Sequence, residues 1–179
     1  MQKLGYYLPF ATASAAFSAI GFGLLSTMDP YTSTAKWAGY QILIGFGRGL
    51  GLQMPIIAVQ ANTKPEVTPI AMSILTFSQT FGGAIFVCAA NVIFTHELRQ
   101  ELVSRLPNID PDIVINAGAG AVSDVADEAS LPGVLWSYSE GTRATFLLCV
   151  ASACVMFFTS FGMGWKDIRK KSVAEAGEA

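Results

Sequence analysis

Residues 37–61 read WAGYQILIGFGRGLGLQMPIIAVQA, an apolar run interrupted by one arginine, three glutamines and a cluster of glycines. A helix needs about 20 such residues to cross roughly 30 Å of hydrocarbon, and this stretch is long enough. Arg48 lies in its middle. Three further runs of similar length flank it, so the spans are placed at about 5–28, 37–61, 69–95 and 142–165. Arg48 is the one unambiguous charge deep inside any of them. A charge at that depth costs at least about 2.5–3.5 kcal/mol on insertion scales, so a buried or water-lined setting is expected for it.

Composition agrees with a membrane setting. The chain of 179 residues is 52% hydrophobic and 13% charged, with a mean hydropathy of +0.47. A soluble domain carries about 25% charged residues. The fold class expected is therefore an all-α integral membrane protein with four transmembrane helices. A loop of about 96–141 is the only long polar region, and 166–179 forms a basic tail after Trp165. With the amino terminus inside, the inner segments hold Lys3, Lys64, Lys166, Arg169, Lys170 and Lys171, against Lys36, Arg99, Arg105 and Arg143 outside. That bias places both termini in the cytoplasm and the long loop outside.

On a helical wheel Gln41, Arg48, Pro55 and Asn62 are spaced by seven and form one polar stripe. Gln53 and Gln60 form a second stripe about 140° from Arg48. Gly45/Gly49 and Gly47/Gly51 are overlapping GxxxG pairs, a device for close helix packing on two sides. Pro55 is expected to bend this span. In the first run Gly5, Ala11, Ala15, Ala19 and Gly23 make a small-residue stripe. In the third, Gln79 precedes the pair Gly82-Gly83, and Thr76, Thr80, Gly83 and Asn91 share a narrow arc.

Arg48, Gln53, Gln60 and Gln79 are the candidate substrate-path residues, since amides both donate and accept hydrogen bonds. The same residues also serve as interhelical ties, and the glycines Gly45, Gly47, Gly49, Gly51, Gly82 and Gly83 read as packing positions. No Asp or Glu lies deep in any run, so a carboxylate partner for Arg48 would have to come from elsewhere.

Beyond the third run, HELRQELVSRL should extend the helix past the membrane, with Leu98, Leu102 and Leu106 on one side. Asp110-Pro111 reads as an N-cap followed by proline at the first helical position, opening a short helix that ends at Gly118. Leu131-Pro132 opens another helix that runs into the last span. Cys88, Cys149 and Cys154 lie in apolar runs and read as small buried hydrophobes. Met1-Gln-Lys leads into a run too long for a signal-peptide core. No metal or cofactor motif and no nucleophile–base pair appears, so neither an enzyme nor a nucleic-acid partner is expected.

Taken together, WAGYQILIGFGRGLGLQMPIIAVQ and SILTFSQTFGGAIFVCAANVIF resemble the carboxyl-terminal part of fungal major facilitator superfamily multidrug and toxin efflux transporters, the fourteen-span drug:proton antiporters. GYYLPF, DPDIVINAGAG and GWKDIRKK fit the same pattern. The resemblance implies that these are the last four of fourteen spans, with the amino-terminal spans missing. It implies rocker-switch export of small amphipathic molecules against protons, in the plasma membrane ahead of the vacuolar one. The piece alone would then be inactive. Two alternatives stay open: a four-span scaffold, against which stands the cysteine-free loop, and a nonfunctional truncated product.

The topology predicts that, in a background without the native cysteines, Ser123→Cys is labelled from outside sealed cells and Ser172→Cys is protected. Labelling of the second alone would reverse the orientation.

Overall fold

The computed structural model describes residues 8–121, 127 and 129–160; Trp165, the tail and most of segment 122–128 lie outside them. Every regular element among the described residues is helical. They are α1 (Leu8–Leu25), α2 (Thr34–Gly51), α3 (Met54–Asn62), α4 (Thr68–Arg105), α5 (Pro111–Ala117) and α6 (Leu131–Ser160), with a 3-10 turn at Ala119–Ala121. Three stretches are long and apolar enough to cross a membrane: Thr34–Asn62, Thr68–Arg105 and Leu131–Ser160. The fourth, α1, is a shorter apolar helix.

The second span is interrupted close to the proline expected to bend it. Leu52 and Gln53 keep right-handed helical backbone angles between α2 and α3. Pro55 has no N–H to offer the Gly51 carbonyl four residues back, so the ladder is interrupted there. It resumes with the Ile57 N–H donating to the Gln53 carbonyl at 3.1 Å.

The helices pack in the order α2, α1, α6, α4, and α3 reaches across to α4. The α1–α2 contact is built from small residues. A Cβ at Gly47 would lie 2.9 Å from Phe17 Cβ and 3.1 Å from the Ser18 nitrogen. A Cβ at Gly51 would overlap Ser14, and one at Gly21 would overlap Ile44. Ser14, Ser18 and Gly21 on α1 therefore face Gly51, Gly47 and Ile44 on α2, an antiparallel seam in which missing side chains allow backbones to meet. Of the stripe expected on the first run, Ala11 and Ala15 are buried, Gly23 meets open space, and Gly5 lies outside the described residues.

The best-packed apolar core sits not within the spans but at the end of the bundle that carries the long loop. With 38 residues, α4 is about 57 Å long at 1.5 Å per residue, well beyond the hydrocarbon thickness. Its overhang places Leu98 and Leu102 against Val114 of α5 and Val134 of α6, all four at most 1% exposed. Phe94, Leu106, Ile109, Ile115, Leu131 and Tyr138 pack around them.

Polar contacts lock this cap. The Asp110 carboxylate accepts from the Asp112 N–H at 2.9 Å and caps α5, as its sequence predicts. Arg99 pairs with Asp112 through both terminal guanidinium nitrogens. The Tyr138 hydroxyl donates to the Val114 carbonyl at 3.3 Å. Gly118, at φ 73°, ends α5 in a conformation that a side chain would strain. Where α4 crosses α6, Gly141 leaves room for Phe94, whose carbonyl oxygen would lie 3.1 Å from an added Cβ.

Leu102→Ala should therefore destabilise the cap by about 2–5 kcal/mol, because the cavity is closed on three sides by helices. Ser104→Ala, an exposed position two residues on, should be silent in the same thermal melt in detergent. Equal midpoints would mean that the cap is not a cooperative core.

Candidate functional site

Arg48 sits near the midpoint of the Thr34–Asn62 span. It opens onto a cavity of about 360 Å³ between α1, the α2–α3 junction, α4 and α6. Ser14, Ser18 and Phe22 come from α1; Arg48, Gly51, Leu52 and Pro55 from the junction; Gln79 from α4; and Cys149, Ser152, Ala153 and Met156 from α6. The α1–α2 seam positions one wall, because Ser14 and Ser18 touch the glycines on either side of Arg48 along the chain. The junction supplies the floor, where Gly51 and Pro55 share the lining with Leu52.

Of the candidate substrate-path residues, the structure brings Arg48 and Gln79 to one cavity. Gln53 and Gln60 do not line it, although all four residues are exposed. The wheel geometry explains the division: Arg48 and Pro55 share the stripe turned toward the cavity, and the second stripe points away from it. The glycines divide as well. Gly47 and Gly51 sit in the seam, while a Cβ at Gly45, Gly49, Gly82 or Gly83 would meet no described atom within 4 Å.

Arg48 and Gln79 make no hydrogen bond or ion pair with another described residue. The three ion pairs among those residues, Arg99–Asp112, Arg105–Glu101 and Arg143–Glu140, all lie at the loop end. Ser14 and Ser18 are only 3% and 8% exposed, yet their hydroxyls also bond to no other described residue. The hydroxyls on the arc of α4 behave differently: Thr80 donates to the Thr76 carbonyl and Thr76 to the Met72 carbonyl, each at 3.0 Å. They are spent inside their own helix.

Sequence reasoning passed over Ser14, Ser18, Ser152 and Met156. The first two had a signal, since Ser14, Ser18 and Gly21 recur at helical spacing and serine counts as a small interface residue. The α6 residues carried none, because Ser152 and Met156 have no distinctive spacing within a long, mostly apolar run.

Known proteins resemble the chain along nearly all its length. It is 48% identical over 167 residues to the MFS-type transporter pigP of Monascus ruber, which covers 93% of this chain and 29% of that protein. It is 45% identical over 174 residues to the efflux pump mlcE of Penicillium citrinum, covering 97% of this chain and 32% of the pump. The MFS-type transporter calB of Penicillium decumbens is 42% identical over 98% of the chain. The chain belongs to the fungal MFS-type transporters. It spans about 30% of the length of these curated relatives. No family model and no solved structure matches it.

The seam yields a sharp contrast. Gly47→Leu should lower the thermal midpoint in detergent by the equivalent of about 1–3 kcal/mol, since backbone and Cβ atoms of α1 would have to move. Gly49→Leu, two residues away, should leave the midpoint of this chain unchanged. The same loss in both would remove the seam as the organising contact.

Proposed function

We propose that this chain forms the last four spans of a fourteen-span exporter of small amphipathic molecules, coupled to proton entry and seated in the plasma membrane. Both termini are cytoplasmic in this reading, and the cap covers the outer ends of α4 and α6. The observation that carries it is the mid-depth cavity on which Arg48 and Gln79 converge, in a chain whose relatives are named transporters and efflux pumps.

The mechanism follows from how a cavity in half a bundle can work. Alternating access requires two bundles rocking about a central site. This chain supplies part of one: the α2–α3 junction and α4 present cavity groups, while α1 and α6 back them. None of the apolar window of α4 is buried. Ile70, Ile74, Phe77, Phe81 and Ile85 are all exposed, a surface available to lipid and to the remaining spans. Arg48 and Gln79 would hold polar groups of a substrate, and Phe22, Leu52 and Met156 its apolar body. No carboxylate among the described residues lines the cavity, and in this reading the proton-carrying group belongs to the rest of the transporter.

Proteoliposomes test the proposal. The 179-residue chain alone should show no proton-driven movement of a lipophilic dye, and the full-length parent should show it. In the parent, Arg48→Ala should lower export by about tenfold or more, equivalent to roughly 1.4 kcal/mol. Arg48→Lys should lose less if charge is what matters, and as much if the planar fork is. Reproducible proton-driven uptake by the chain alone, or full export by Arg48→Ala, would overturn the reading.

A further inference from the structure

The lining of the mid-span cavity names a class of ligand. Among its twelve residues Arg48 is the one charged side chain, and it has no ion-pair partner among the described residues. Among the described residues no Asp or Glu lines the cavity. The cavity is therefore positive, and the low dielectric around it strengthens that potential.

The groups beside Arg48 add donors. Gln79 brings an amide, and Ser14 and Ser18 bring hydroxyls that are nine-tenths buried, uncommitted and turned to the same space. A guanidinium offers a planar fork that matches a carboxylate with two parallel hydrogen bonds. Phe22, Leu52, Ala153 and Met156 supply an apolar wall. At about 360 Å³ the space falls in the range that holds drug-sized molecules.

We infer that this cavity selects amphipathic organic anions, with a carboxylate on Arg48 and Gln79 and an apolar body against Phe22 and Met156. The inference rests on the export reading for its setting, and narrows the substrate from amphipathic molecules in general to those with a negative head.

A matched pair of probes separates charge from hydrophobicity: 1-pyrenebutyrate, ionised at neutral pH, and its methyl ester. Binding is read by fluorescence on the purified full-length protein in phosphatidylcholine nanodiscs. The acid should bind about tenfold tighter than the ester, and Arg48→Gln should abolish that preference while leaving the ester within about twofold. Arg48→Lys should keep part of it. Equal loss of both probes in Arg48→Gln would mean that Arg48 is paired within the protein and would overturn the proposal, as would binding of neither probe or no preference for the acid. Adding phosphatidylglycerol to the nanodiscs should not compete; competition would assign the site to a lipid headgroup instead.

Met156→Trp distinguishes failure of the class from failure of the setting. It narrows the cavity from an exposed α6 position that should tolerate the change, and it should weaken both probes. If it does so while the acid shows no preference, the cavity stands and the anion class falls. If neither probe responds to Met156→Trp, the cavity is not the binding site and the export reading loses its support.

Discussion

The close approach of α1 and α2 is the contact on which the rest of the site depends. Inside a bilayer, lipid tails are as apolar as leucine, so helices gain little from burying hydrocarbon and associate through tight packing and polar contacts. Gly47 and Gly51 let α2 settle against Ser14, Phe17 and Ser18. Arg48 lies between those two glycines in sequence and turns to the neighbouring face, so the seam sets its depth and direction. The α2–α3 junction coincides with the same turn. Pro55 leaves the Gly51 carbonyl without its helical donor, which is tolerable in hydrocarbon only where protein or a polar cavity replaces it. Gly51 is buried against Ser14 and lines the cavity, which meets that condition.

Two solvents explain why burial is distributed so unevenly. At the loop end water is the competitor, and the hydrophobic effect gathers large side chains: Leu98, Leu102, Val114 and Val134. Within the spans the buried positions are mostly small, among them Ala11, Ser14, Ala15, Ser18, Gly47 and Gly51, with Leu25 and Met54 the large exceptions. The large span residues Phe77, Phe81 and Val87 are exposed. The cap also joins the ends of α4 and α6 through α5, Arg99–Asp112 and the Tyr138 hydroxyl. These two helices are thereby coupled at one end by a water-type core, while their spans touch through a lipid-type interface.

Much of this was legible in the sequence because it depends on local rules. Pro55 marked the interruption of the second span, Asp110-Pro111 the start of α5, Gly118 its end, and the leucine spacing from Leu98 the overhang of α4. The helix bounds differ from the hydropathy runs where helix and membrane part company: α4 and α6 continue well past the hydrocarbon, so length in helix is not length in lipid. The site was half legible. Periodicity put Arg48 and Gln53 on different faces, but it could not say which face meets α4. Gln79 joins Arg48 only because α3 and α6 bring α4 alongside, a long-range relation that no spacing encodes. The seam glycines were visible as GxxxG pairs; that only one of the two pairs meets α1 depends on the angle at which the helices cross.

The behaviour of the hydroxyls is what separates the cavity from ordinary helix packing. In these spans a serine or threonine can satisfy itself by donating to a carbonyl one turn back, and most do: Thr145 to Gly141, Ser152 to Cys149, Thr159 to Val155 and Ser160 to Met156. Such bonds settle a polar group where no water is available. Ser14 and Ser18 have the same option on α1 and do not take it, although they are among the more deeply buried polar residues. They share a cavity with an arginine and a glutamine that are equally uncommitted among the described residues. Hydrogen-bonding capacity is costly to leave unused at this depth, and here it is concentrated in one place. A structural tie would have consumed it internally, and here it is left available.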